Sequence, residues 1–183
     1  MAVQTPENPD FNSMCPDFKL LSVTGGTFSL SNFRNNKPFV VMFICNHCPY
    51  VIAIEDRLIQ LGHDLKKLDI HLIAICSNDE AMYSEDSFIN LQKRAANKKY
   101  SFIYLHDKSQ EVAKNFGAVC TPDFFVYDKN AKLSYRGRLD DSWKDSSLVK
   151  TRELFNAVLE LAADKTISKP QTSSMGCSIK WIK

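Results

Sequence analysis

One stretch constrains this chain more than any other: five uninterrupted apolar residues from Val40 to Ile44, followed by Cys45-Asn46-His47-Cys48-Pro49. An apolar run of that length reads as a strand buried on both faces. After Pro49 the apolar residues recur at helical spacing, at Val51, Ile54, Leu58, Leu61, Leu65 and Leu68, so an amphipathic helix follows at once. A buried strand, a Cys-x-x-Cys and a helix in this order place both thiols at a helix N-terminus. There the unpaired N–H groups and the helix dipole favour a thiolate over a thiol.

The chemistry asks for one thiolate that attacks a disulfide or peroxide and a second thiol that resolves the intermediate. Cys45, at or just before the N-cap, is the expected attacker, with its sulfur facing solvent and accepting N–H groups of the first turn. Cys48, one turn on, is expected to be the more buried and to reach Cys45 with ordinary disulfide geometry. His47 is a polar neighbour that favours the Cys45 thiolate when it carries a proton. Lowering a thiol pKa by one unit takes about 1.4 kcal/mol, which a helix terminus and an imidazole together can supply. Pro49 fits the first helical turn because its missing N–H would have no partner there. Half a zinc site, or two unrelated core cysteines, is the structural alternative. No second Cys-x-x-Cys or His-x-x-x-His is present to complete a zinc site.

The strand, Cys-Asn-His-Cys-Pro and helix together resemble the thioredoxin superfamily. A second signature agrees: Val119-Cys120-Thr121-Pro122-Asp123-Phe124-Phe125-Val126 resembles the Thr-cis-Pro segment that opens a later strand in that fold. In the family this loop lies against the active-site disulfide and offers backbone groups to an extended substrate, a role that the resemblance assigns to Thr121 and Pro122. The likeness runs from about Cys15 to Ala163. Cys15-Pro16-Asp17-Phe18 and a hairpin with Gly25-Gly26 at its turn resemble the opening of peroxiredoxins and of membrane-anchored thiol reductases. The C-terminus resembles a peroxiredoxin-like branch of bacterial thioredoxin-fold proteins, of the alkyl hydroperoxide reductase/thiol-specific antioxidant type.

The chain also departs from these relatives. Where thioredoxins bury an Asp, six residues before the first cysteine, Phe39 stands, and that proton route is expected to be missing. The Asn-His dipeptide resembles disulfide isomerases and bacterial oxidants, whose couples are more oxidising than thioredoxin. Cys48-Pro49 aligns with the Cys-Pro of peroxiredoxins, but Cys45 then occupies the place of their hydrogen-bonding Thr. Arg136 and Arg138 could supply a guanidinium near a peroxide, but they read rather as a solvated hairpin end with local ion pairs.

The expected fold is α/β: a thioredoxin fold, with a central mixed sheet flanked by helices, an N-terminal β-hairpin and a C-terminal tail. Residues 1–14 read as an irregular arm, 15–164 as the domain and 165–183 as the tail. Within the domain, Ile70 to Cys76 reads as a strand parallel to the first, and Ser84 caps a helix through Ala96 that ends in the solvated cations of Lys93 to Lys99. Phe102 to Leu105 is a short strand and Ser109 to Phe116 a helix. Phe124 to Tyr127 and Lys132 to Arg136 form an antiparallel hairpin, and the residues around Leu154 to Leu161 a last helix. In the tail, Cys177, Ile179 and Trp181 alternate, which suggests an extended segment packing back on the domain. If it docks there, Cys177 is a possible third thiol near Cys45.

The 183 residues carry a net charge of only +2, so no global electrostatic case exists for nucleic acid or a membrane as partner. The N-terminus shows neither a basic nor an apolar leader region and no apolar run approaches the roughly 20 residues of a span. A cytoplasmic location is expected, where six cysteines would be mostly reduced. Three functions compete. The first is a thiol–disulfide oxidoreductase using Cys45, Cys48 and His47, with Thr121-Pro122 holding a thiol or disulfide protein partner. The second is a thiol peroxidase reducing a hydroperoxide. Either would need an electron donor such as a thioredoxin or glutathione system, and no cofactor. The third is a soft-metal chaperone binding Cu(I) through Cys45 and Cys48, with His47 or Cys177.

Overall fold

The computed structural model describes residues 3–6 and 9–183. In chain order its elements are β1 (Val3–Gln4), β2 (Lys19–Ser22), β3 (Thr27–Ser29), β4 (Phe39–Phe43), α1 (Pro49–Lys67), β5 (Leu72–Cys76) and α2 (Phe88–Lys98). There follow β6 (Ile103–His106), α3 (Glu111–Asn115), β7 (Cys120–Thr121), β8 (Asp123–Tyr127), β9 (Leu133–Gly137), α4 (Glu153–Ala162) and β10 (Gly176–Ser178). Seven strands make the main sheet in the order β3-β2-β6-β5-β4-β8-β9, and β1, β10 and β7 form a small second sheet. This is the thioredoxin arrangement with a hairpin added at one edge.

The strand that leads to the cysteines is β4, inside the sheet and buried at every residue. It pairs parallel to β5 (Val41 opposite Ile73) and antiparallel to β8 (Val41 opposite Phe125). Side chains alternate across the sheet. Val40, Met42 and Ile44 meet the apolar stripe of α1 together with residues of α2 and α4. Phe39, Val41 and Phe43 point the other way, toward Val112 and Phe116 around α3. Both faces of the run are therefore covered, which is why it lacks polar interruptions. Ile73 of β5 is fully buried in the second layer. Ile73→Val should lower stability by about 1 kcal/mol, read as a lower urea midpoint at an unchanged slope.

Pro49 takes the first position of α1, and Lys66 and Lys67 end it near the negative pole of its dipole. Among its buried apolar residues sits Glu55, whose carboxylate accepts from Arg94 Nε (2.7 Å), Tyr100 OH (2.6 Å) and Lys98 Nζ (3.0 Å). The pairing fastens α1 to α2.

Several sequence expectations need correction. The helix expected from Ser84 splits into a 3-10 turn, Ser84–Asp86, and α2, because Ser87 is extended (ψ 150) and caps the helix itself. The break leaves the Asp86 side chain pointing into the protein. The helix expected from Ser109 shortens to Glu111–Asn115. Gln110 is left-handed (φ 64), with its amide turned inward to the carbonyls of Ser77 and Lys180, both at 2.7 Å. The N-terminal arm is not wholly irregular, since β1 pairs with β10; residues 1, 2, 7 and 8 of that arm lie outside the described residues.

The tail runs back along the domain. The Arg138 N–H donates to Thr172 O (3.0 Å), β10 pairs with β7, and the Lys180 N–H donates to Asn78 Oδ1 (2.8 Å). Among the described residues no helix is long and apolar enough to cross a membrane.

Candidate active site

The loop that leaves β4 carries both cysteines to the N-terminus of α1. The helix begins at Pro49, so its N-cap is Cys48 (φ −72, ψ 120), whose carbonyl accepts the Ile52 N–H at 2.9 Å. Cys45 lies three residues upstream, in the loop. This corrects the expected geometry, which put Cys45 at or just before the cap. Cys45 does not face solvent either: it is 2% exposed and Cys48 0%. The cover comes from two later segments. Thr121 Oγ1 is 3.3 Å from Cys45 Sγ, and Cys48 Sγ donates to the Thr121 carbonyl at 3.1 Å. The peptide bond from Thr121 to Pro122 is cis. Over this segment lies β10, antiparallel to β7, with Cys177 directly opposite Thr121.

The electrostatics separate the two thiols. The Cys48 thiol is brought down from the ordinary range, to about 5. The largest cause is the Cys45 thiol beside it, followed after the opposing effect of burial by the Val51 N–H and by the N–H and thiol of Cys177. Cys45 moves the opposite way, because it keeps the proton it shares with Cys48, because it is buried, and because the Asp86 charge is near. The Thr121 carbonyl is the contact that favours a protonated Cys48. The position that stabilises a thiolate therefore belongs to Cys48, with Cys45 as its proton-bearing partner.

His47 is held away from the role of a free cation. Its Nδ1 lies 2.6 Å from Asp86 Oδ2, and its ring stacks on Tyr83 at 4.8 Å. The Asp86 hydrogen bond raises the His47 pKa above its ordinary value, outweighing the desolvation that lowers it. Asp86 is fully buried and also accepts the Asn46 N–H and Asn78 Nδ2, each at 2.7 Å. One carboxylate thus holds both residues between the cysteines, and a proton taken up by the imidazole is offset by that partner. Sequence reasoning missed Asp86. The available signal was the pair Asn46-His47: two polar residues between a buried strand and a buried helix end need a polar partner from elsewhere. Although Phe39 fills the place of the thioredoxin Asp, a buried carboxylate is present, since Asp86, His47 and Cys45 each offer a ligand atom within 4.8 Å of one another. As a metal set these three suit a soft ion such as Cu(I) poorly, for one donor is a carboxylate already bonded to the imidazole.

The other cysteines have different surroundings. Cys76 and Cys120 are buried, and burial drives both thiols far up. Cys15 is pushed up to about 12 by the same cause. Cys177 lies against Cys48, with burial and the Cys48 contact raising it to about 11. Arg136 is not at a solvated hairpin end. Its Nη2 bonds Gly117 O (2.6 Å) and the fully buried Asp123 (3.0 Å), and the guanidinium covers the Phe125 ring. Arg138 does pair locally, with Glu153 at 2.7 Å. Beside Pro122 a cavity of about 340 Å³ opens between Ile54, Phe124, Trp143 and Met175.

Comparison with known proteins gives a consistent result. The family model described as AhpC/TSA family matches residues 11–136. Among solved structures the chain is similar to an uncharacterized conserved protein from Geobacillus kaustophilus, with 37% identity and a TM-score of 0.95 over 100% of this chain and 97% of that one. A hypothetical protein from Sinorhizobium meliloti 1021 is 34% identical, with a TM-score of 0.92 over 97% of this chain and 98% of that one. The thioredoxin domain of a thiol-disulfide oxidoreductase from Bacteroides vulgatus shares the fold, at 16% identity and a TM-score of 0.64 over 85% of this chain and 99% of that one. No match is found among curated proteins.

Proposed function

The chain belongs to the AhpC/TSA family, whose chemistry is thiol redox, and within that chemistry we propose that it works as a thiol–disulfide oxidoreductase with Cys45 and Cys48 as its redox pair. The observation that carries this reading is the geometry of the pair: Cys48 caps the helix, and Thr121 lies against both sulfurs, its Oγ1 3.3 Å from Cys45 Sγ and its carbonyl 3.1 Å from Cys48 Sγ. Cys48 attacks one sulfur of a partner disulfide. The partner S–S bond breaks, its other sulfur leaves as a thiolate and takes up a proton, and a mixed disulfide to Cys48 remains. Cys45 then gives up its proton and attacks Cys48 Sγ, releasing the second partner thiol. The partner gains two electrons and the protein ends with a Cys45–Cys48 disulfide. In this scheme Thr121 and Pro122 hold the partner's backbone, and His47, fixed by Asp86, positions the loop. A thioredoxin or glutathione system would return the pair to the dithiol.

Stabilising the reduced form makes a couple more oxidising. Equilibrated with glutathione buffers, the Cys45–Cys48 couple should therefore have a potential above the roughly −270 mV of thioredoxin. A value at or below that would reject Cys48 as a stabilised thiolate, and no disulfide between the two at any ratio would reject the oxidoreductase. The second reading, a thiol peroxidase, draws on Cys48-Pro49 at the helix cap, the placement of the family's Cys-Pro. Oxidation of the reduced protein by hydrogen peroxide no faster than that of free cysteine would remove it.

A further inference from the structure

We propose that Cys177 is a third exchanging thiol, and that the C-terminal strand occupies the partner-docking edge as an internal substrate. The inference rests on the reading of Cys45 and Cys48 as a redox pair. A strand added antiparallel to β7 beside Pro122 is the arrangement an extended partner would take at this edge. In the free protein β10 takes it, with Cys177 opposite Thr121 and Ser178 opposite Cys120. Thr121 is also the residue that touches both Cys45 and Cys48. The docked strand thus sets its cysteine where the cysteine of an incoming partner would lie, against Cys48.

Three features fit the strand to this place. A Cβ at Gly176 would run into the Thr121 carbonyl and crowd Pro122 Cδ, so a larger residue before the cysteine keeps the strand off. On the N-terminal side Ser174 Oγ lies 2.8 Å from Asp123 Oδ1 and 2.6 Å from Gly137 O. On the C-terminal side the Lys180 N–H donates to Asn78 Oδ1 at 2.8 Å, and the amide of the same Asn78 donates to Asp86. Tail docking and the loop between the cysteines therefore share one hydrogen-bonded network.

The exchange balances without a further reagent. In the oxidised protein Cys177 attacks Cys48 Sγ, the Cys45–Cys48 bond breaks, and a Cys48–Cys177 bond forms. The proton leaving Cys177 passes to Cys45, and no net oxidation occurs. All three thiols are buried, so the disulfide moves from the loop before α1 to a bond that ends on a strand of three residues. Displacing that strand by a partner peptide then brings the bond to the surface. The partner class that fits is an extended polypeptide with a cysteine preceded by glycine, because it must pass the same carbonyl.

The test is to oxidise the full chain with glutathione disulfide, quench with acid, block free thiols and map the linked peptides by mass. Wild type should yield the Cys48–Cys177 link alongside Cys45–Cys48. Gly176→Ala keeps every thiol but obstructs docking. It should reduce the Cys48–Cys177 link relative to Cys45–Cys48 about tenfold, the factor that corresponds to about 1.4 kcal/mol of lost docking, and speed Cys48 alkylation similarly. Cys177→Ser should show Cys45–Cys48 alone. Absence of the Cys48–Cys177 link in wild type while Cys45–Cys48 forms would overturn the proposal and leave the redox pair standing. Absence of both would overturn the redox pair itself. A Gly176→Ala protein with the wild-type ratio of links would show that docking does not bring the thiols together, and would also overturn it.

Discussion

Cys48→Ser should slow the reduction of glutathione disulfide about a thousandfold or more, as removal of an enzyme's nucleophile does. The loss should be chemical rather than structural, because serine is a favoured N-cap residue and Cys48 is the cap of α1. A serine hydroxyl fills the site and keeps the bond to the Thr121 carbonyl, but it does not ionise near neutral pH. Cys45→Ser should behave differently. Attack by Cys48 survives, resolution does not, and a mixed disulfide to glutathione accumulates. Stopped-flow kinetics with intact mass at each time point separate the two. If Cys48→Ser accumulates the mixed disulfide and Cys45→Ser loses the attack, the roles are reversed.

Asp86→Ala should cost about 3–5 kcal/mol of stability, the usual result of removing one partner from a buried pair. The fully buried carboxylate accepts from Asn46, His47 and Asn78, and alanine leaves all three without it. Urea unfolding measures the loss; a change below about 0.5 kcal/mol, the range of ordinary surface substitutions, would show that water replaces the carboxylate. The pair also predicts a pH dependence. The folded His47 pKa is raised by Asp86 above the ordinary histidine value of about 6.5. The stability due to this group is fully present below pH 6.5 and falls as the pH rises through the folded value. Asp86→Asn keeps the shape without the charge. It should flatten that part of the profile and return the His47 titration, followed by NMR, toward its ordinary range. An unchanged titration would break the link between the two residues.

The parts of the site that were legible in the sequence are local ones. The run Val40 to Ile44, the spacing of Val51 to Leu65 and the segment Thr121-Pro122 each announce themselves within a few residues. The sheet order follows from how such pieces connect. The choice between Cys45 and Cys48 as the cap turns on where the helix begins. Pro49 carried that information, since proline favours the first helical position and puts the cap one residue earlier. Burial of Cys45 was not legible because its cover comes from β7 and β10, far along the chain. Asp86 was hidden for a similar reason. An acidic residue near a helix start ordinarily reads as favouring the dipole, and only the extended Ser87 turns it inward. Arg136 looked solvated because its partner Asp123 lies on the neighbouring strand β8, and no pattern within β9 indicates a buried carboxylate there.

The small sheet joins Val3 and Gln4 to Gly176 and Cys177, and Cys177 to Thr121. Its contacts are among the longest in sequence that this chain makes, and contacts of that kind form late because their loop-closure entropy is spent before they give anything back. A ribosome delivers Cys45, Cys48 and Thr121 well before residues 176–178. While the chain is being made, the strand, the helix and Thr121 can already be in place with nothing laid across them. On the reading of Cys45 and Cys48 as a redox pair, the two thiols meet any oxidant at that stage without the cover that β10 gives them in the finished fold.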